Sequence, residues 1–363
     1  MGIPTTEDKI VQMGIKKILE AIFEVDFSEV SHGFRPGRSC HTALEKSDKE
    51  IMMRPINYVV EIDIEKYFDS IDHKKLIQCL EMRIKDTNLI RLIIRFLKSG
   101  IMEEEIYYDT EQGTPQGGII SPILANIYLH YVLDKWYEIK VKKDLKGYTA
   151  LIRYCDDFVI LAQSETESGK IYERIKERLK ESGLNISEKK SRIIEFGKKV
   201  WEKSRKTGKD IETFDFLGFT HYCDKSRKGN FKLGRKTSRK KYIQKMVEMN
   251  DWLKKIRNAV KLEEWIEKVK QKLRGHYNYY GVSGNSRWIY SYYCQTIRLV
   301  FKWINRRSQK KSYNWKRFNN FLKYHRLPLP KIYHNLYTLS SYKGSIIEEP
   351  YVGQLQVRFC EGG

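Results

Sequence analysis

Three carboxylates carry the strongest chemical signal in this chain of 363 residues. Asp156 and Asp157 stand side by side between two β-prone runs, 151–155 and 158–161. Apolar and β-branched runs that meet at a two-residue polar turn read as a β-hairpin, which would hold both carboxylates at one tip. A solvated hairpin corner is the plain alternative, because Asp is at home in turns. Asp63 shifts the balance. It closes a second strand candidate, Tyr58-Val-Val-Glu-Ile-Asp-Ile64, and an Asp ending a buried strand is costly unless it is paired or binds a metal. Three carboxylates delivered by two adjacent strand ends suit a two-metal phosphoryl-transfer site, where Mg²⁺ takes oxygen ligands and flanks an in-line displacement.

The elements that must position these residues are visible in the pattern. Residues 9–23 place Ile15, Ile18, Leu19, Ile22 and Phe23 along a helical stripe. Gly33-Phe-Arg-Pro-Gly-Arg38 is a Gly/Pro-shaped loop presenting Arg35 and Arg38, with Ser39 able to cap the helix behind it. Asp72 can cap another helix, and Ser121-Pro122 opens one that runs to about Trp136, just ahead of the hairpin. Ile171, Ile175 and Leu179 recur four residues apart before a stop at Gly183. Residues 224–241 form a junction dense in Lys and Arg, and helical patterns follow over 242–260, 262–273, 286–308 and 315–324.

Charge divides the chain. Residues 1–222 carry 36 basic and 37 acidic side chains, whereas residues 223–363 carry 32 and 9, so the whole net charge of +22 lies in the C-terminal part. A one-sided field of that size implies a polyanionic partner. Aromatics interleaved with the cations (Trp252, Trp265, Tyr279, Trp288, Trp303) fit RNA, which is gripped by phosphate neutralisation and base stacking. Core packing is the alternative for each aromatic taken alone. No apolar run approaches membrane-spanning length and the first residues lack a secretory apolar core, so a cytoplasmic protein with no membrane partner is expected. The six cysteines include no C-x-x-C pair, which argues against a zinc module and for reduced thiols.

Several blocks together carry a family resemblance. Tyr154-Cys-Asp-Asp157 resembles the Tyr-x-Asp-Asp box of reverse transcriptases, and Asp63-Ile-Glu-Lys-Tyr-Phe-Asp-Ser-Ile-Asp-His73 resembles the first catalytic block of bacterial group II intron reverse transcriptases. Gly2-Ile-Pro-Thr-Thr-Glu-Asp-Lys-Ile-Val-Gln12, His32-Gly-Phe-Arg-Pro-Gly-Arg38 and Gln112-Gly-Thr-Pro-Gln-Gly-Gly-Ile-Ile-Ser-Pro-Ile-Leu-Ala-Asn126 are similar to further blocks, in the family's order. Leu273-Arg-Gly-His-Tyr-Asn-Tyr-Tyr280 and Leu327-Pro-Leu-Pro-Lys-Ile-Tyr333 look like parts of the maturase (thumb, or X) domain. The resemblance reaches from residue 1 to about Tyr337.

That resemblance implies an α+β right-hand polymerase: an antiparallel-sheet palm with partial fingers over 1–222, a basic junction over 223–241, and an α-helical thumb/maturase domain over 242–337. Residues 338–363 stay unassigned. It implies RNA-directed DNA synthesis with intron RNA as template, a DNA or RNA primer, dNTPs, and two Mg²⁺ ions (Mn²⁺ as the substitute), alongside maturase binding of intron RNA for splicing. Asp63, Asp156, Asp157 and the Ile64 carbonyl would hold metal, and Phe68, Gln116, Lys190, Arg35 and Arg38 would face the nucleotide or template. Phe68 matches the family's steric gate against a ribose 2′-hydroxyl, and Lys190 a charge stabiliser or general acid at the leaving pyrophosphate. An ordinary buried aromatic and a surface lysine are the other readings of these two. Lys236, Arg239, Lys240, Lys241, Arg274, Tyr277 and Tyr280 would meet RNA.

The chain departs from the family pattern at two places. Members usually carry a fingers hairpin before Gly-Ile-Pro, whereas here Met1 directly precedes it. A misplaced start, a separate polypeptide supplying the fingers, and a decayed element are the three explanations. Cys155 replaces the Ala commonest in the box. A non-catalytic splicing maturase, or a repurposed reverse transcriptase with impaired synthesis, is the competing reading.

Overall fold

The computed structural model describes residues 4–99, 101–103, 106–108, 112–114, 117–309 and 313–337. Gln116 and residues 338–363 therefore lie outside the described residues. The chain divides into two compact units, residues 1–217 with 222–233, and residues 218–221 with 234–363.

The first unit opens on helix α1 (Thr6–Phe23), capped by the Thr5 hydroxyl, and α2 (Cys40–Met53), which starts on a reciprocal capping box between Ser39 and Thr42. Strand β1 (Tyr58–Ile62) leads into the short α3 (Tyr67–Ser70), α4 (His73–Glu81) capped by Asp72, and α5 (Thr87–Leu97) capped by Asp86. A small hairpin, β2 (Ile101–Glu103) and β3 (Ile106–Tyr108), precedes α6 (Ser121–Leu129), which has proline at its start as expected. That helix continues through two π-helical stretches, His130–Asp134 and Tyr137–Val141. The hairpin β4 (Thr149–Tyr154) and β5 (Asp157–Ala162) follows, then α7 (Glu165–Glu181), β6 (Arg192–Glu195) and α8 (Lys198–Thr207).

Four strands form an antiparallel sheet in the order β4-β5-β1-β6. Antiparallel sheets often keep one solvated face, but β5 is apolar and buried from Phe158 to Ala162, so both of its faces are covered. Val60 pairs with Ile160 and Ile62 with Phe158, so these side chains share one face with Leu19 and Phe23 of α1, Leu124 and Tyr128 of α6, and Ile171 and Ile175 of α7. Each fully buried side chain of this kind contributes about 1.5–3 kcal/mol. The sheet is held by its flanking helices.

Three further strands, β7 (Phe214–Phe216), β8 (Phe219–Lys225) and β9 (Phe231–Thr237), form a sheet of their own in the order β7-β8-β9. The stretch read from sequence as a basic junction, 223–241, holds the end of β8, all of β9 and the start of the next helix. Most of it is a hairpin, with Phe231, Leu233, Arg235 and Thr237 buried on alternating positions while Lys232 and Lys236 are half-exposed. Leu217 and Gly218 both have positive φ (52° and 78°), the requirement of a tight two-residue turn with a type I′ twist. The second unit is otherwise helical: α9 (Arg239–Ile256), α10 (Leu262–Tyr280), α11 (Ser286–Ile304) and α12 (Trp315–His325). Among the described residues no helix is long and apolar enough to cross a membrane.

Candidate active site and its relatives

Strand register brings the predicted carboxylates together. Ile62 pairs with Phe158 across β1 and β5, so the next step along that antiparallel register sets Asp63 opposite Asp157. Asp156 is the other member of the two-residue turn that joins Tyr154 to Asp157, the last pair of the β4–β5 hairpin. Cys155, the first turn residue, has φ of 61°, a left-handed conformation that side chains with a Cβ rarely adopt.

The electrostatics agree with that placement. Burial, and then repulsion from Asp63, raises the Asp156 carboxyl above its ordinary range. Asp157 lies open to solvent as a residue, yet its carboxyl group is hemmed in by protein and accepts a hydrogen bond from the Leu217 N–H at 3.2 Å. Burial pushes it up to about 7, with repulsion from Asp156, Glu61 and Asp63 adding to the rise. Asp156 and Asp157, raised in this way, are oxygen donors whose repulsion a divalent cation would relieve. Their chemistry thus fits Mg²⁺. The three have not closed into a cage: among the described residues, no group of three acidic, His or Cys side chains is gathered tightly enough to hold an ion. Instead the Lys190 ammonium reaches the Asp63 Oδ2 at 2.9 Å. Both partners of that pair are largely exposed, at 63% and 43%.

Ile64 forms an isolated antiparallel bridge to Ile186, held by Glu65 N–H donating to the Asn185 carbonyl and Ser187 N–H donating to the Asp63 carbonyl. Those two bonds leave the Ile64 carbonyl out of the pairing. Phe68 is half-buried, edge-on to Tyr67 at 5.4 Å. Gly113 and Thr114 dock beside it: Thr114 N–H donates to the Phe68 carbonyl at 2.7 Å, and Gly113 (φ 86°) lies so close to Phe68 and Asp69 that a Cβ would sit 2.8 Å from their backbone.

Other predicted contacts have different surroundings. Arg35 is buried and committed to the fold, donating to both Glu24 oxygens and to the Ser28 and Ser31 carbonyls. Its guanidinium knits the loop together, so it does not present a free cation to a nucleotide. Arg38 donates to Glu29 at 2.7 Å and to its carbonyl, a half-open pair at the loop's edge. In the second unit Tyr277 is fully buried, its hydroxyl donating to the Pro328 carbonyl, and Tyr280 is 5% exposed among Phe219, His276 and Tyr279. These two tyrosines pack the core and cannot stack on bases in this arrangement. Arg239, Lys240, Lys241 and Arg274 are exposed, and Lys236 is half-exposed. Three cations in the first turn of α9 oppose the positive end of the helix dipole, which favours a surface built for an anion over one built for helix stability.

Sequence reasoning missed two features around the hairpin. Arg153 and Asp134 are fully buried beneath the turn, and Phe34 is 49% exposed with its ring 6.4 Å from Tyr154. Arg153 inside one apolar run and Asp134 at the end of another, with opposite signs, were the available signal for the first.

Comparison with known proteins is decisive at the family level. The family model described as reverse transcriptase (RNA-dependent DNA polymerase) matches residues 1–221. The chain belongs to the reverse transcriptase family. Within that family it is similar to the group II intron-encoded protein LtrA of Lactococcus lactis subsp. cremoris, 50% identical over 145 residues, which make up 40% of this chain and 24% of the relative. It is also similar to the nuclear intron maturase 4, mitochondrial, of Arabidopsis thaliana, 27% identical over 146 residues, or 40% of this chain and 18% of the relative. The matched stretch is thus about a quarter or less of either relative's length. Among solved structures, a telomerase from Candida albicans in complex with a fragment of telomeric RNA aligns over 88% of this chain and 54% of its own, with 11% identity and a TM-score of 0.47.

Proposed function

We propose that this reverse transcriptase-family chain copies RNA into DNA, with Asp63, Asp156 and Asp157 as the catalytic carboxylates. The observation that supports the reading is the β1–β5 register, whose last pair, Ile62 with Phe158, brings Asp63 and the hairpin tip to the same end of the two strands. These three side chains, with the Ile64 carbonyl, are the groups that would hold two Mg²⁺ ions. When bound, such ions favour the primer 3′-oxygen as nucleophile and neutralise charge on the leaving oxygen. The 3′-oxygen forms a bond to the α-phosphorus of a dNTP while the bond to pyrophosphate breaks. Lys190 stands at the carboxylate cluster as a cation and proton donor that can meet the leaving group. Phe68 and Gln116 frame the nucleotide, the ring of Phe68 excluding a 2′-hydroxyl. The exposed cations of α9, with Lys236 and Arg274, neutralise template phosphates.

Primer extension on poly(rA)/oligo(dT) tests the assignment. Asp156→Ala should abolish incorporation while leaving the melting temperature at or above that of the parent, because it removes a charge that burial and Asp63 disfavour. A variant that still extends primer at the parental rate would remove the mechanism.

Maturase action on intron RNA is a second reading, favoured by the cations crowded at the start of α9. It predicts that Asp156→Ala still supports splicing of the cognate intron and that charge removal at 239–241 does not.

A further inference from the structure

We propose that Arg153 is a positioning residue: its buried guanidinium clamps the left-handed backbone at Cys155 and thereby fixes the turn that presents Asp156 and Asp157. The consequence for catalysis rests on the polymerase reading above; the clamp itself does not.

Arg153 lies in β4 with no exposed surface. A guanidinium has five N–H donors, and here all five are used. Nε and Nη2 fork onto the Asp134 carboxylate at 2.7 and 2.5 Å. Nη2 also donates to the Ser31 hydroxyl at 2.8 Å, and Nη1 donates to the Asn126 side-chain oxygen at 2.9 Å and to the Cys155 carbonyl at 3.0 Å. Three parts of the fold therefore meet on one side chain: the Ser31 loop, the helix that carries Asn126 and Asp134, and the hairpin turn. A buried ion pair is poor evidence of stabilisation, since apolar packing often does as well. What this one supplies is direction. The Cys155 carbonyl belongs to the peptide plane that leads into Asp156, so holding that oxygen holds the plane.

The other edge of the turn is pinned as well. Gly33 lies against it so closely that a Cβ would stand 2.6 Å from the Cys155 nitrogen. Asn126 ties the two sides together, donating from Nδ2 to the Gly33 carbonyl at 2.5 Å while accepting from Arg153. Backbone bonds between His32 and Arg153 and between Arg153 and Val30 complete the frame. A left-handed residue with a Cβ persists only when its surroundings over-determine it, and this network does so. Lysine cannot replace the fork, because its ammonium is a single point charge.

Hydrogen exchange on the full chain, read by mass spectrometry over 154–157, tests the clamp. Arg153→Lys keeps the charge facing Asp134 and should accelerate exchange at the turn roughly tenfold or more, the effect of losing one hydrogen bond to a charged donor, while helix α7 stays protected. Glycine adopts left-handed backbone without penalty. Adding Cys155→Gly to Arg153→Lys should therefore recover most of the lost primer extension and return the half-saturating Mg²⁺ concentration toward that of the parent, with no recovery of melting temperature. If Arg153→Lys does not fold, Asn126→Ala, which removes one acceptor that orients Arg153 Nη1 and frees the Gly33 carbonyl, should raise exchange at the turn in its place. Unchanged exchange at 154–157 in a folded variant overturns the clamp, as does a double variant no more active than Arg153→Lys. A parent chain that extends no primer sinks the polymerase reading instead, and the exchange result still decides the clamp.

Discussion

Gly33→Ala is the sharpest single perturbation available at the hairpin. The φ of Gly33 lies outside the left-handed range, so alanine can adopt its backbone conformation without strain. Loss of unfolded-state entropy alone would then stabilise the variant by about 0.4–1 kcal/mol. Space reverses the sign. The new Cβ would stand 2.6 Å from the Cys155 nitrogen and 3.1 Å from the Tyr154 carbonyl carbon, whereas comfortable contact begins at about 3.5 Å. One backbone must retreat by about 0.9 Å relative to that contact distance. Both opposing atoms are main-chain, so no rotamer can absorb the clash. Overpacking of this kind costs about 1–3 kcal/mol, leaving a net loss of up to about 2.6 kcal/mol after the entropic gain. The larger effect falls on chemistry, because a 1 Å misplacement of reacting groups costs about a hundredfold in rate. Single-nucleotide incorporation, measured well below the melting temperature of the variant, should drop by about that factor while RNA affinity holds. Incorporation at the parental rate would refute the claim that Gly33 and Cys155 share one fixed contact.

Three further outcomes are expected. Lys190→Met should leave stability within about 1 kcal/mol, as exposed pairs contribute little, but lower incorporation about 10²- to 10⁴-fold if Lys190 donates a proton; an unchanged rate makes it a surface lysine. His276 is held down to about 3 by burial, its ring stacked on Tyr292 at 3.6 Å. The unfolded chain takes up that proton near pH 6.5 and the folded chain only near 3, so the contribution is complete above 6.5 and is lost as pH falls through that window. Urea melts should show His276→Gln flattening the pH slope by about 1.4 kcal/mol per unit in that window, and an unaltered slope would mean the imidazole is not buried as a neutral group. Replacing Arg239, Lys240 and Lys241 by Gln should reduce the salt slope of single-stranded RNA binding by about 2; an unchanged slope in filter binding would take these cations off the RNA surface.

Much of the framework was legible in the chain itself. Caps at Ser39 and Asp72, the proline at the start of α6, and the apolar runs on either side of Asp156 act through local chemistry that a sequence displays directly. What stayed hidden depends on tertiary surroundings. Strand β9 alternates buried Phe231 and Leu233 with lysines, and its charge masked the period of two. Helix α8 buries only Trp201, with the Arg205 guanidinium over its ring at 5.0 Å, so it has almost no apolar stripe to read. Arg35 looked like a ligand-facing cation because Glu24, which neutralises it, lies 11 residues away with no local signature. Tyr277 and Tyr280 follow Leu273 at helical spacing, and that shared stripe is the core face of α10.

The π-helical stretch His130–Asp134 has a bearing on which changes this region can accept. A π turn holds one residue more than an α turn, so the helix carries surplus length just where Asp134 must end up under the hairpin. Removing one residue within it would let the helix close to α geometry while the side chains beyond keep their places, whereas removal from the α-helical part of α6 would swing every later side chain, Asp134 included, by about 100° around the axis. The acid would leave its place, and a perfectly good helix would remain. Exposed Lys140 further along can vary freely in type. Spacing, more than identity, is what this part of the chain has to preserve.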